Sequence, residues 1–274
     1  MITKSKPAID LIGEARCTGC SACANACKQS AIEMILSLEG FYRPQIDRSR
    51  CNECGICVQE CPVLATERGD MTRAPWTDPK AFAAWSRNEA IHLASSSGGA
   101  FTELARLFIQ RGGVVFGCGW TDDWTPTHVI ARTEQDLALF RGSKYVPSSV
   151  SDALAETIRL CRNGTPVLFS GTPCQVAAAR RLVTQRGEEY LTTCEVVCHG
   201  VPSLRLFRAY LQWLFGGDAV REFSFRQKSL GWQTVVAVSR GGRVHQVPLA
   251  ADPFGRLALV YHLPLMEACF RCVF

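Results

Sequence analysis

The chain has 274 residues, 47% of them apolar, which is ample for buried cores in two domains. Its formal charge is +5, but the basic residues are scattered and form no stripe that would track a phosphate backbone, which argues against nucleic acid as the main partner. No window approaches the ~18 uninterrupted apolar residues of a membrane span, and the opening MITKSKPAID has no apolar signal segment, so a soluble protein of the reducing cytoplasm is expected, with its 15 cysteines as free thiols.

The first element is a cysteine run, Cys17-x2-Cys20-x2-Cys23-x3-Cys27. The same spacing returns at Cys51-x2-Cys54-x2-Cys57-x3-Cys61, followed by Pro62. Three cysteines at two-residue gaps wrap one cubane cluster, and the fourth ligates the neighbouring one. This assigns Cys17, Cys20, Cys23 and Cys61 to one [4Fe-4S] centre, and Cys51, Cys54, Cys57 and Cys27 to a second. Zinc sites also use paired CxxC units, but they need no third cysteine two residues further on. Lys28 stands where the second run has Pro62, which leaves all the sulfurs in place. Between the runs, Ile32, Met34 and Leu36 alternate, Glu39-Gly40 reads as a turn, and Tyr42 and Ile46 follow as the return strand of a hairpin. Residues 1–65 thus resemble the bacterial two-cluster ferredoxin domain. An oxidised cluster with four thiolates carries about −2, so two of them bring the holoprotein close to neutral.

Residues 66–80, TERGDMTRAPWTDPK, read as a linker with two prolines and mixed charge. Beyond it, residues 83–93 are expected as a strand ending at Ser95-Ser96-Ser97-Gly98-Gly99. Phe101, Leu104, Ala105, Phe108 and Ile109 then recur at helical spacing until Gly112-Gly113. Val114 to Phe116 and His128 to Ala131 read as strands, 151–162 as a helix, and Pro166 to Phe169 as a short buried strand. A helix with Val176, Ala177 and Leu182 follows, then a strand over 191–197 and a helix with Leu204, Phe207, Leu211 and Leu214. The last elements are strands around 220–226 and 233–247. The pattern is an α/β domain with a β-rich tail. Three strand-to-helix junctions, SSSGG, SGTPC and CHGVPS, carry the small and polar residues at which ligands gather in such folds. Ser97, Gly98 and Gly99 suit a diphosphate or a flavin edge, or equally a plain helix cap.

Five motifs taken together, SSSGGAFTELA (95–105), RGSKYVPS (141–148), SGTPCQVAAARR (170–181), CHGVPS (198–203) and CFRC (269–272), resemble the family of coenzyme F420 hydrogenase/dehydrogenase beta subunits over essentially the whole chain. The resemblance implies an α+β ferredoxin-like two-cluster domain (1–65), the linker (66–80) and an α/β flavin-binding domain (81–274). It implies an oxidoreductase that passes electrons between [4Fe-4S] clusters and FAD and exchanges a hydride with a soluble carrier, F420-like or nicotinamide, beside a partner redox protein or ferredoxin. Cys174, Cys198, Cys269 and Cys272 are then a third set of [4Fe-4S] ligands, while Cys118, Cys161 and Cys194 are packing residues. Lys144 and Tyr145 become the catalytic pair beside the flavin, and Ser97, Gly98, Gly99, Gly171, Thr172 and His199 contact the cofactor. Arg226 and Lys228 suit an anionic substrate tail.

Two departures from the family pattern stand out. The chain stops at Phe274, shortly after the last cysteine, so a C-terminally incomplete flavin domain is expected. Met266-Glu267-Ala268 stands where relatives often carry Arg-Pro-Ser, which removes a cation. The alternative function is a non-catalytic electron-relay component of a larger redox complex.

Overall fold

In the computed structural model, which describes residues 5–70, 79–183 and 187–274, the two cysteine runs are built alike. Each winds through two left-handed residues at matching places, Gly19 and Ser21 in the first, Glu53 and Gly55 in the second. Helix α1 (Ala8–Arg16), broken at Gly13, leads into the first run, and α2 (Ala22–Ala26) leaves it. Strands β1 (Ile32–Leu36) and β2 (Tyr42–Ile46) form the expected hairpin, with Met34 opposite Pro44. The second run continues through α3 (Ile56–Gln59) into α4 (Pro62–Glu67), where Pro62 sits in the first turn and costs no helical hydrogen bond. The linker therefore begins inside a helix; its residues 71–78 lie outside the described residues.

The expected strand over 83–93 is instead an irregular segment followed by helix α5 (Glu89–Ala94). The Asn88 side chain decides this, since its oxygen accepts from the Ile91 N–H at 3.2 Å and closes the first turn. Consequently SSSGG joins two helices, and only the other two junctions run from strand to helix. Helix α6 (Ala100–Gln110) starts at Gly99, whose φ of 79° needs no side chain. Then come β3 (Val114–Trp120), β4 (Pro126–Ala131), α7 (Ser151–Arg162), β5 (Val167–Gly171), α8 (Pro173–Val183), β6 (Leu191–Glu195) and α9 (Leu204–Leu214). The sheet order is β4-β3-β5-β6, with β3, β5 and β6 parallel and β4 an antiparallel edge. β5 is buried along its whole length, as a central parallel strand requires. β6 ends at Glu195, before the expected Val197. The tail is a second sheet, β7 (Val220–Ser224), β8 (Thr234–Ser239) and β9 (Val244–Pro248), all antiparallel. Residues 233–247 form a hairpin rather than one strand, because Gly241-Gly242 turns the chain, Gly242 at φ 82°.

Two cores follow from these layers. Phe116, Leu154, Phe169 and Val176 pack between the four-stranded sheet and α7 and α8. Phe207 on α9 packs with Phe223, Phe225 and Phe254 against the three-stranded sheet. The cysteine-rich unit is joined to both. Ala22 of α2 belongs to the first core, and the β1–β2 tip is bonded into the start of α9. There Ser203 Oγ donates to the Glu39 carbonyl at 2.6 Å and the Leu204 N–H to the Gly40 carbonyl at 3.0 Å. Gly40 is required here, since its φ is 85° and a Cβ would stand 2.5 Å from Ser203 Oγ. Phe41 packs with Met266 and Ala268, and Phe274 lies against Ala8, Ile12, Cys17 and Cys61. Among the described residues no helix is long and apolar enough to cross a membrane.

Candidate metal centres

All 15 cysteines are free thiols. Cys17, Cys20, Cys23 and Cys61 line one cavity of about 370 Å³, with Met34 and Pro44 of the hairpin as its floor. Cys27, Cys51, Cys54 and Cys57 line a second, of about 330 Å³, which Ile32 closes from the same hairpin. The hairpin is what makes this possible: residues two apart on β1 face the same side, so Ile32 and Met34 each back one cavity. Thiols spread around a cavity differ from thiols closing on one point, and among the described residues no group of three His, Cys, Asp or Glu side chains converges on a single ion.

Backbone N–H groups meet the sulfurs. Gly19 donates to Cys17, Ala22 to Cys20, Ala24 to Cys23, and Val63 and Leu64 to Cys61. Ala31 N–H reaches Cys27 Sγ at 3.3 Å. Burial pushes the thiols of Cys17, Cys20, Cys23, Cys57 and Cys61 above the ordinary thiol value, and neighbouring cysteines add to this in most of them. Bare thiolates would be costly in these apolar cages; four soft sulfur donors with amide support fit an iron–sulfur cube, whose irons neutralise most of the thiolate charge.

A third group forms between the two sheets' loops. Cys174 sits in the first turn of α8, where Thr172 Oγ1 lies 3.2 Å from its sulfur, and burial pushes its thiol up to about 12. Cys198 follows β6, and Cys269 and Cys272 lie in and after a terminal 3₁₀ turn, Glu267–Arg271. A short antiparallel bridge brings these loops together: Met266 N–H donates to the Val201 carbonyl at 2.9 Å and Ser203 N–H to the Pro264 carbonyl at 2.9 Å. The Cys174 thiol is raised further by Cys198, Cys269 and Cys272. Cys198 and Cys272 are exposed. The groups also act on one another in series: Cys57 raises the Cys23 thiol, and Cys174 raises the Cys20 thiol.

The polar loops are distributed less simply. Ser96 Oγ accepts from the Ser143 N–H at 2.7 Å, which joins SSSGG to GSKY. Gly98 is needed by the chain itself, because a Cβ would meet the Ala84 carbonyl at 2.2 Å; Ser97 is exposed and does not cap α6. Lys144 Nζ donates to the Leu139 and Arg141 carbonyls, each at 3.1 Å, and desolvation lowers its pKa to about 8. Tyr145 packs on Phe225 with Arg226 over its ring at 5.5 Å, and Arg226 also stacks on Trp232 at 4.9 Å. Lys228 Nζ donates to the His92 and Ser97 carbonyls, so it clamps the SSSGG loop. Gly171 is buried, and the Thr172 N–H donates to Gln175 Oε1 at 3.0 Å, which in turn bonds Ser148 of the GSKYVPS loop. His199 stands apart from these loops, 2.7 Å from His262 between their Nε2 atoms; the helix it precedes is capped by Ser203. Cys161 is fully buried in the first core, Cys194 packs against the Val115–Leu168 side of the sheet, and Cys118 lies on β3 beside His128 and near Lys144. The sequence reading missed Arg43 and His128, both buried. A titratable residue beside the apolar Val129-Ile130-Ala131 is the one signal that marked His128; Arg43, in Tyr-Arg-Pro-Gln-Ile, had none.

Comparison with known proteins gives three successive matches. A family model described as a 4Fe-4S dicluster domain matches residues 16–65. Two models for the coenzyme F420 hydrogenase/dehydrogenase beta subunit, N-terminal and C-terminal, match 81–155 and 164–273. One of the subunits of the F(420)H(2) dehydrogenase of Methanosarcina mazei is 25% identical over 85% of this chain and 67% of its own length. The ferredoxin-type protein NapF of Escherichia coli is 41% identical over 17% of this chain and 28% of its own length. Among solved structures, a chain of the F420-reducing [NiFe] hydrogenase complex from Methanosarcina barkeri is 21% identical, with a TM-score of 0.47 over 64% of each chain.

Proposed function

Since the chain belongs to the family of coenzyme F420 hydrogenase/dehydrogenase beta subunits and carries a 4Fe-4S dicluster domain, we propose that it is an iron–sulfur flavoprotein that passes electrons along three clusters between FAD and a partner redox protein. The reading divides the chain into a two-cluster unit (1–65), a linker (66–80) and a flavin unit (81–274), working in the cytoplasm with a soluble hydride carrier, F420-like or nicotinamide. The observation that supports it best is the serial order of the cysteine groups: Cys20 and Ala22 pack against the core that α8 enters one turn after Cys174, and charge on Cys57 acts on Cys23 as charge on Cys174 acts on Cys20. Three separate metal sites would need no such order; an electron path does.

Bound FAD would supply the chemistry that converts a two-electron hydride donor into single electrons. The chain's own residues have simpler tasks. The twelve cysteines of the three groups hold iron, and the amides donating to their sulfurs favour the more negative, reduced state. Lys144, with a pKa of about 8, keeps its proton at neutral pH and has one N–H beyond the two bonded carbonyls to offer an anionic ring edge. Ser97, Gly99, Gly171 and Thr172 supply polar backbone at helix starts, and Tyr145 an aromatic wall. His199 is better read as part of the third cysteine group's surroundings than as a flavin contact.

The test is anaerobic purification followed by iron, sulfide and flavin analysis. About eight to twelve irons and one flavin per chain are expected, with flavin bleaching by reduced F420, NADH or NADPH. Iron without flavin, and no reduction by any hydride donor, would instead establish the electron-relay role.

A further inference from the structure

Two formally charged side chains are buried among the described residues, Arg43 and Asp252. Asp252 is fully answered. Tyr210 Oη donates to it at 2.5 Å, the Gly255 N–H at 2.7 Å, and His245 Nε2 lies 3.0 Å away. Arg43, only 6% exposed, has nothing comparable. Its Nη1 donates to the Cys17 carbonyl and lies 3.4 Å from Met266 Sδ, its guanidinium stands 5.8 Å from the centre of the Phe41 ring, and its Nε is buried with no hydrogen-bond partner. No carboxylate pairs with it among these contacts. An arginine keeps its charge in any protein interior, and a buried charge without a counter-charge is strongly unfavourable.

The missing negative charge has one source in this neighbourhood. Arg43 donates to the carbonyl of Cys17 in the first centre and lies against Met266, whose carbonyl accepts from the Cys269 N–H of the third group at 2.9 Å. A cube with four thiolates carries about −2 when oxidised and more when reduced. The guanidinium of Arg43 lies against Met266, in the turn that carries Cys269. We propose that Arg43 is the buried counter-cation of the first centre, shared with the third group, and that it holds the first centre's reduction potential up. The inference rests on the reading of these cysteines as cluster ligands. Reduction adds one electron to the cluster and moves no proton, so a fixed positive charge stabilises the product more than the reactant.

The experiment is an EPR-monitored redox titration of the full chain, purified anaerobically, as wild type, Arg43→Met, Arg43→Gln and Arg43→Lys. The first centre's signal is identified by its loss in Cys17→Ala. Arg43→Gln keeps a donor for the Cys17 carbonyl but no charge; Arg43→Lys keeps the charge. Both Met and Gln variants are expected to lower the one-electron reduction equilibrium of that centre about tenfold, which is about 59 mV, at unchanged iron content, and Lys to stay near wild type. Should the Met variant fail to load iron, the Gln variant alone decides. An unchanged midpoint in the iron-loaded Gln variant overturns the proposal, as does a Lys variant shifted as far as Gln. A wild-type chain that takes up no iron overturns the cluster reading itself, and the proposal with it.

Discussion

His128 shows how a single buried side chain ties stability to pH. Its Nε2 donates to the Ser170 carbonyl at 2.9 Å, its ring stacks on Phe169, and burial holds its pKa down to about 4. The folded chain therefore carries it neutral, while the unfolded chain protonates it near 6.5. Between those values the unfolded state binds more protons, so stability rises with pH across the window and is lost on acidification, by about 3 kcal/mol at pH 4. His128→Gln keeps a donor for Ser170 and has no proton to gain. Urea unfolding of both proteins at pH 7 and pH 4.5 should show a clearly smaller acid penalty in the variant; equal penalties would place the acid sensitivity elsewhere. The cysteine runs were legible because their spacing is itself the chemistry. Arg43 was not. Alternation on β2 turns Tyr42 and Ile46 inward and leaves Arg43 on the outer face, which a one-domain reading gives to solvent; in the structure that face is covered by Met266 and Phe41.

At the scale of elements, the tail sheet is held to α9 by one ring cluster. Phe207 is fully buried and its ring lies 5.2 Å from Phe223, 5.5 Å from Phe225, 5.3 Å from Phe254 and 5.7 Å from Trp120. Removing it leaves a cavity that rigid neighbours cannot fill, so Phe207→Ala should cost about 3–5 kcal/mol. Denaturant unfolding followed by tryptophan fluorescence would show it, and a loss below about 1 kcal/mol would mean the cluster collapses freely. The helices α6, α7, α8 and α9 were legible from their 3.6-residue periodicity. Residues 83–93 misled because Ala83, Trp85, Ile91 and Leu93 read as strand-like, whereas a single hydrogen bond, donated by the Ile91 N–H to the Asn88 side chain, commits the stretch to a helical turn. Likewise the apolar run of 233–247 concealed a turn whose only mark is Gly241-Gly242. Periodicity reports which face is buried; it is weak on where the chain reverses.

For the molecule as a whole, the crossed cysteines make the two halves of the N-terminal unit interdependent. Cys61 belongs by sequence to the second run and by position to the first cavity. Cys61→Ala should therefore perturb the EPR signal of the first centre and spare that of Cys51, Cys54 and Cys57; the reverse pattern would reject the crossed assignment. The order of the three groups was beyond the sequence, because it depends on α2 entering the core of α7 and α8. The loops proposed to hold a flavin were legible only as motifs, since Lys144 and Lys228 turn out to be bonded to carbonyls of the chain itself. The bonding of the β1–β2 tip to Ser203 and Leu204 has a kinetic consequence. A carrier domain on a loose tether delivers electrons by swinging, and its rate falls as solvent thickens. Here the N-terminal unit is pinned at its tip by Gly40 and along its flank by Ala22, so the spacing between the first centre and Cys174 is fixed by the fold. Electron passage across that joint should be indifferent to glycerol, and a viscosity-dependent rate would show that the tip lets go during turnover.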